Sequence, residues 1–178
     1  MICEKVDECM KRFLHISEQG DISCLGGYDC IKSFDQRAQA VCAEKEKEYR
    51  LRNDLNPNKA YIAVFNVDGG MIVNTDEKKC DYMMVVSDLN KAIVVLIELK
   101  GKDYKRAIQQ INEMLGILNA PFKTFNKVYG RVIFRSKRTP NMKNIPQRME
   151  VERKFKQLHG DFKMEKDILE ESVKSLLA

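Results

Sequence analysis

With 178 residues, 44% hydrophobic and 32% charged, the chain has the make-up of one globular domain able to bury a sizeable core. No run of eighteen apolar residues occurs, and the opening MICEKVDECMKRFLHI interrupts its apolar positions with acids and bases. Neither a membrane span nor a secretory signal is expected, and a cytoplasmic location is.

In chain order, Val6, Met10, Phe13 and Leu14 fall at helical spacing in 4–19, with Gly20 as the stop. Phe34, Ala38, Val41, Cys42, Lys45 and Tyr49 mark a second helix over 31–53, ended by NDLNPNKA. The next stretch is rich in Val, Ile, Tyr and Phe. It is broken at Gly69-Gly70 and at Asp88-Leu89-Asn90, which predicts a three-strand meander near 60–67, 80–87 and 92–100. Ala107, Ile108, Ile111, Met114, Leu115 and Leu118 then form a helical stripe that Asn119-Ala120-Pro121 stops. KVYGRVIFRS, 127–136, reads as a further strand. Two helices follow, with Pro146 in a first turn, Gly160 as a stop and Asp161 as an N-cap. With no repeat or low-complexity segment, 1–178 is expected to be a single domain: a helical segment 1–43, a core of about 44–136 and a basic helical segment 137–178.

The six cysteines, at 3, 9, 24, 30, 42 and 80, are best read as reduced thiols. Zinc is the lesser alternative, because the closest pairs, Cys3-x5-Cys9 and Cys24-x5-Cys30, are wider than the usual C-x2-4-C, and only His15 and His159 could assist. The net charge of +5 is unevenly spread. From Lys127 to Lys156 ten basic residues face two acids, Glu150 and Glu152, and such a segment would attract polyanions or simply be a solvated basic face.

The chemistry concentrates in VVLIELKGKD, 94–103, where Glu98 and Lys100 end a strand that is apolar on both faces. An antiparallel hairpin turning at Leu89-Asn90 pairs residue i with residue 179 minus i, which puts Asp81 opposite Glu98 and Lys100 on the face of Glu98. Opposed carboxylates at a buried strand end repel each other unless something positive lies between them, and Mg²⁺ suits that place. Lys100 could then orient a water or stabilise charge on a phosphoryl group. The bland alternative is a structural carboxylate–Lys pair across a hairpin.

CDYMMVVSDLNKAIVVLIELKGKDYKRAIQQI resembles the core of the PD-(D/E)xK nucleases, in which an Asp opens one strand, E-x-K closes the next and a helix follows. The resemblance spans roughly 44–136 in element order but rests on specific residues only across 80–111. Cys80 stands where the family name would put Pro. The resemblance implies an α/β fold with a restriction-endonuclease-like core, a mixed sheet of about four strands flanked by helices. It further implies a metal-dependent nuclease, most simply a DNA endonuclease, using Mg²⁺ with Mn²⁺ able to substitute. Asp81, Glu98 and Leu99 would be the metal ligands, and Asp81, Glu98 and Lys100 the catalytic set. Glu48, preferred to Glu44, would be an acid on the preceding helix. Gln109, ahead of Gln110, would be the glutamine on the following one. Asp68 is a rival isolated acid that the register disfavours. Arg135, Lys137, Arg138, Arg153 and Lys154 would contact the phosphate backbone. The expected partner is nucleic acid, with no membrane and a homodimer left open. A catalytically inactive member serving as a nucleic-acid-binding or protein-interaction module is the alternative.

Overall fold

A computed structural model describes residues 3–14, 23–27, 29–73, 78–135 and 145–178. In chain order it forms α1 (Val6–Lys11), β1 (Ile31–Asp35), β2 (Gln39–Glu44), β3 (Lys47–Arg52), β4 (Tyr61–Asn66), β5 (Tyr82–Ser87), β6 (Ala92–Lys100), α2 (Tyr104–Ile117), α3 (Asn119–Phe122), β7 (Lys127–Phe134), α4 (Pro146–Gln157), β8 (Phe162–Lys166), β9 (Ile168–Ser172) and α5 (Val173–Leu177). The result is a mixed α/β architecture. A six-stranded sheet has the order β1-β4-β5-β6-β7-β8, and a three-stranded sheet the order β2-β3-β9. The first four strands of the large sheet pair antiparallel, whereas β6, β7 and β8 run parallel.

Strand β6 lies in the middle of the large sheet and shows how the layers are held. Ala92, Val94 and Leu96 enter one apolar core, shared with Ala107, Ile108, Ile111 and Met114 of α2 and with Val151 and Phe155 of α4. Ile93, Val95, Ile97 and Leu99 enter a second core with Tyr49 and Leu51 of β3 and with Val173 and Leu176 of α5. A strand covered on both faces needs apolar residues at every position, which is why its sequence runs continuously rather than alternating. The crossover to β7 begins at Asp103, whose carboxylate accepts the Arg106 N–H at 3.0 Å and caps α2. On β7, Gly130 allows a close approach: a Cβ there would sit 2.5 Å from the Phe155 ring, which stacks on Phe162.

The meander, α2, β7 and α4 lie where the sequence predicts them, with ends that differ by up to two residues. Several predictions need correction: the large sheet has six strands rather than about four, and the first helix, expected over 4–19, runs only Val6–Lys11 before turns at 12–14. Residues 31–53 are not a helix but β1, β2 and β3. Ala40 and Cys42 on β2, and Tyr49 and Leu51 on β3, alternate inward with a period of two, while Val41, counted in the helical stripe, is exposed. The β2–β3 turn is made by Lys45 and Glu46, both at positive φ, so no Gly or Asn announces it. Residues 161–178 are likewise β8, β9 and only a short α5. Asp161 is not an N-cap; its carbonyl accepts from the Gly130 N–H at 2.9 Å. Between β8 and β9 the chain steps from one sheet to the other at Asp167. Its N–H donates to Phe134 of β7 at 3.0 Å, and its carbonyl accepts from Glu48 of β3 at 2.9 Å. The segments 1–43 and 137–178 are therefore not helical units. The Gly20 stop falls outside the described residues.

Candidate active site

The β5–β6 turn is fixed by Asp88, whose Oδ1 accepts the N–H groups of Asn90 and Lys91, each at 2.7 Å. From there the ladder runs Ser87↔Ala92 to Tyr82↔Ile97, the predicted register, with each pair summing to 179. Where the regular pairing ends, Asp81 takes over. Its Oδ2 accepts the Leu99 N–H at 2.7 Å, so a side-chain carboxylate replaces the next rung of the ladder.

Glu98 continues the inward run of Val94 and Leu96, and Lys100 shares its face by alternation. The Glu98 side chain has no solvent exposure, and neither of its oxygens receives a short, well-aligned hydrogen bond; the Lys100 ammonium and the Asp81 backbone N–H are its weak partners. Lys100 Nζ lies 3.5 Å from Oε1, an ion pair at the long edge of contact. Burial first, and the Asp81 carboxylate second, push the Glu98 pKa up to about 8, with Lys100 opposing. Asp81 is also raised, chiefly by burial and further by Glu44 and Asp68, while the Leu99 N–H and Lys100 hold it back. The site is thus a buried Glu98 carboxylate that feels the half-buried Asp81 carboxylate, with one ammonium beside it.

The remaining predicted residues divide. Gln110, not Gln109, is the inner glutamine of α2: it is buried, and its Nε2 donates to the Lys79 carbonyl at 2.6 Å, tying α2 to the segment that leads into Asp81. The stripe signals this, since its neighbours at i−3 and i+4, Ala107 and Met114, are core residues. Gln109 is exposed and accepts from Lys78 Nζ at 3.2 Å. Glu48 does not lie on a helix; it sits on β3 of the small sheet, paired with Arg50 at 2.6 Å. Glu44, on β2, is the glutamate with an electrostatic effect on Asp81. Asp68 is exposed and pairs with Lys79 at 3.2 Å. The Leu99 side chain belongs to the second core, so only its backbone carbonyl could serve a metal.

The basic segment is less available than its composition implies. Arg131 has no exposed surface. It binds Glu171 through Nε at 2.6 Å, and Asp161 through NH1 at 2.5 Å, a core network that the sequence does not announce. Arg135 pairs with Glu46, and its N–H donates to the carbonyls of Lys100 and Gly101 at 3.2 and 3.1 Å. Lys154 reaches Asn112 at 2.7 Å and Glu150 at 2.9 Å, whereas Arg153 is exposed on α4. Lys137 and Arg138 lie outside the described residues.

Mg²⁺ needs only one or two carboxylates beside waters and substrate oxygens, so Asp81 and Glu98 are a chemically fitting donor set, and the weakly satisfied Glu98 oxygens are what a cation would complete. Among the described residues no group of three or more His, Cys, Asp and Glu side chains is already gathered as a metal site. None of the described helices is long and apolar enough to cross a membrane. Comparison of the chain with protein-family models, with curated proteins and with solved structures gives no match.

Proposed function

We propose that the protein is a Mg²⁺-dependent nuclease that hydrolyses phosphodiester bonds, with DNA as the first substrate to test. The observation that carries the reading is Glu98: a fully buried carboxylate with no well-aligned hydrogen bond, under the influence of Asp81 and held only by a long 3.5 Å contact with Lys100. Such a group is costly to keep unless a cation completes it. The run β4–β5–β6–α2–β7 supports a restriction-endonuclease-like core, although a β-hairpin of the small sheet replaces the helix expected before the meander.

In this reading Asp81 and Glu98 hold the divalent ion, with the Leu99 carbonyl as a third donor. The ion would supply Lewis-acid polarisation and a more acidic bound water. Lys100 stands where an ammonium can orient the attacking water or offset charge building on the phosphoryl oxygens. Gln110 positions the Lys79–Asp81 segment. Arg153, with Arg135 and Lys154 released from their acidic partners, would follow the phosphate backbone.

The test is cleavage of plasmid and oligonucleotide substrates with Mg²⁺, Mn²⁺ or EDTA. Wild type should cut with either metal and not with EDTA. Glu98→Gln should lose both metal affinity and cleavage, whereas Lys100→Ala should bind metal and not cut. Metal affinity equal in wild type and Glu98→Gln would overturn the reading. A binding module without catalysis is the second reading, favoured by Glu48 lying outside the site; it predicts nucleic-acid binding that neither substitution alters.

A further inference from the structure

Four cysteines from four different places meet on the helical side of the β1–β4 edge. Cys3 precedes α1, Cys9 lies within it, Cys24 opens a turn closed by the Gly27 N–H to the Cys24 carbonyl at 3.1 Å, and Cys30 immediately precedes β1. Cys3, Cys9 and Cys30 are buried, Cys24 is half-buried, and all are reduced. Cys3 Sγ and Cys24 Sγ are 3.7 Å apart. Cys24 is also within side-chain hydrogen-bonding reach of Cys9 and Cys30, so one thiol touches the other three.

Without a metal, burial above all pushes the Cys3, Cys9 and Cys30 thiols up and keeps them neutral, and backbone N–H groups oppose that shift at Cys3 and Cys9. The Leu25 N–H donates to Cys9 Sγ at 3.2 Å with the Gly26 N–H nearby, and the Lys5 N–H is directed at Cys3. A neutral thiol is a poor acceptor, whereas a thiolate uses such donors well. Arg12 NH1 donates to the Ser23 carbonyl at 2.8 Å and holds the Cys24 turn against α1. The Cys3 N–H donates to the Met71 carbonyl at 3.0 Å, which anchors this segment to the turn after β4.

We propose that Cys3, Cys9, Cys24 and Cys30 form a structural Zn²⁺ site that fastens the N-terminal segment to the β1–β4 edge. Sulfurs at about 2.3 Å from a tetrahedral zinc lie about 3.8 Å apart, and the Cys3–Cys24 spacing already meets that value. Among the described residues no three such side chains are already placed to hold a metal, so closing the shell requires these thiols to move together. The wide x5 spacings are explained by α1 and by the Cys24–Gly27 turn lying between the members of each pair. Each thiol gives up its proton to solvent as its sulfur binds, with no change of oxidation state. Soft thiolates select zinc over the oxygen-preferring Mg²⁺, so the site is chemically separate from Glu98.

The full chain, purified under reducing conditions, should contain one zinc per molecule by elemental mass spectrometry. Replacement with Co²⁺ should give the intense visible bands of a tetrahedral thiolate complex. Cys24→Ser should lose the zinc and melt at lower temperature, while Cys42→Ser and Cys80→Ser should keep it. Should Cys24→Ser fail to fold, Co²⁺ titration of zinc-stripped wild type decides the same question. Wild type that holds no zinc and gives no thiolate–cobalt spectrum would overturn the proposal. So would sulfide-bridged iron, or a Cys3–Cys24 disulfide in the freshly isolated protein. Mg²⁺ affinity and cleavage report on Glu98 and leave these outcomes independent.

Discussion

Replacing Glu98 by Gln should stabilise the metal-free protein at alkaline pH. A free glutamate titrates near 4.5, and in the fold the same group titrates near 8. Below the lower value both states hold the proton, and Glu98 adds no pH dependence. As pH rises above 4.5 the unfolded chain releases the proton and the folded chain keeps it, so stability falls until pH passes about 8 and then levels off. At about 1.36 kcal/mol per pH unit the interval amounts to about 5 kcal/mol, an upper bound for a site that can relax. Gln resembles the protonated acid in size and polarity and carries no such penalty. Urea denaturation in Mg²⁺-free buffer should therefore give nearly equal stabilities near pH 4 and a variant several kcal/mol more stable above pH 8. Saturating Mg²⁺ should then raise wild type and leave Glu98→Gln unchanged, since only a ligand that binds the folded state adds stability. Comparing the two proteins in the same buffer cancels any contribution of zinc. A stability difference that is flat with pH, or Mg²⁺ acting equally on both, would refute the reasoning.

Asp81→Asn keeps an acceptor for the Leu99 N–H and should preserve the fold while weakening Mg²⁺ binding in calorimetric titration. Asp81→Ala leaves that N–H without its 2.7 Å partner and should in addition cost about 1–3 kcal/mol in denaturant unfolding. Arg131→Met removes the guanidinium from Glu171, which keeps only Lys163 and the Tyr49 hydroxyl, while Asp161 can turn to solvent; the change should cost about 1–3 kcal/mol in denaturant unfolding, whereas a phosphate-binding Arg131 would have left stability unchanged. Arg153→Glu should lower affinity for oligonucleotides of any sequence and reduce the slope of log affinity against log salt by about 1, measured by fluorescence anisotropy.

The part of the fold that reads directly from sequence is the part built by local rules. Asp88-Leu89-Asn90 marks its turn by residue type, so the register that brings Asp81 to Glu98 follows by counting. The helix α2 declares itself by its stripe, and the same stripe ranks Gln110 above Gln109 once its core neighbours are counted. The small sheet gives no such signal. Its β2–β3 turn uses Lys45 and Glu46, residues that seldom take positive φ, and β3 is completed by a strand far away in the chain. Phe34, Ala38, Val41 and Tyr49 imitate a helical face by coincidence, and tertiary pairing decides against it. In sequence, Arg131 is one more cation of a basic segment. Its carboxylate partner Glu171 lies 40 residues away, on a strand whose spacing imitates a helix in the same way.

The pairing of β3 with β9 also sets an order of events during synthesis. Glu48 pairs with Ile168, so 120 residues must be made between the two halves of one ladder. At about 5–20 residues per second the ribosome needs about 6–24 s for that stretch. Throughout that interval the edge of β3 and the apolar faces of Tyr49 and Leu51 lack their final cover, while β4 to β7 can already assemble. A nascent chain stalled before β9 would therefore present a finished β5–β6 hairpin on a body with a sticky flank. Such an intermediate is the one on which a ribosome-bound chaperone would act and from which aggregates would grow.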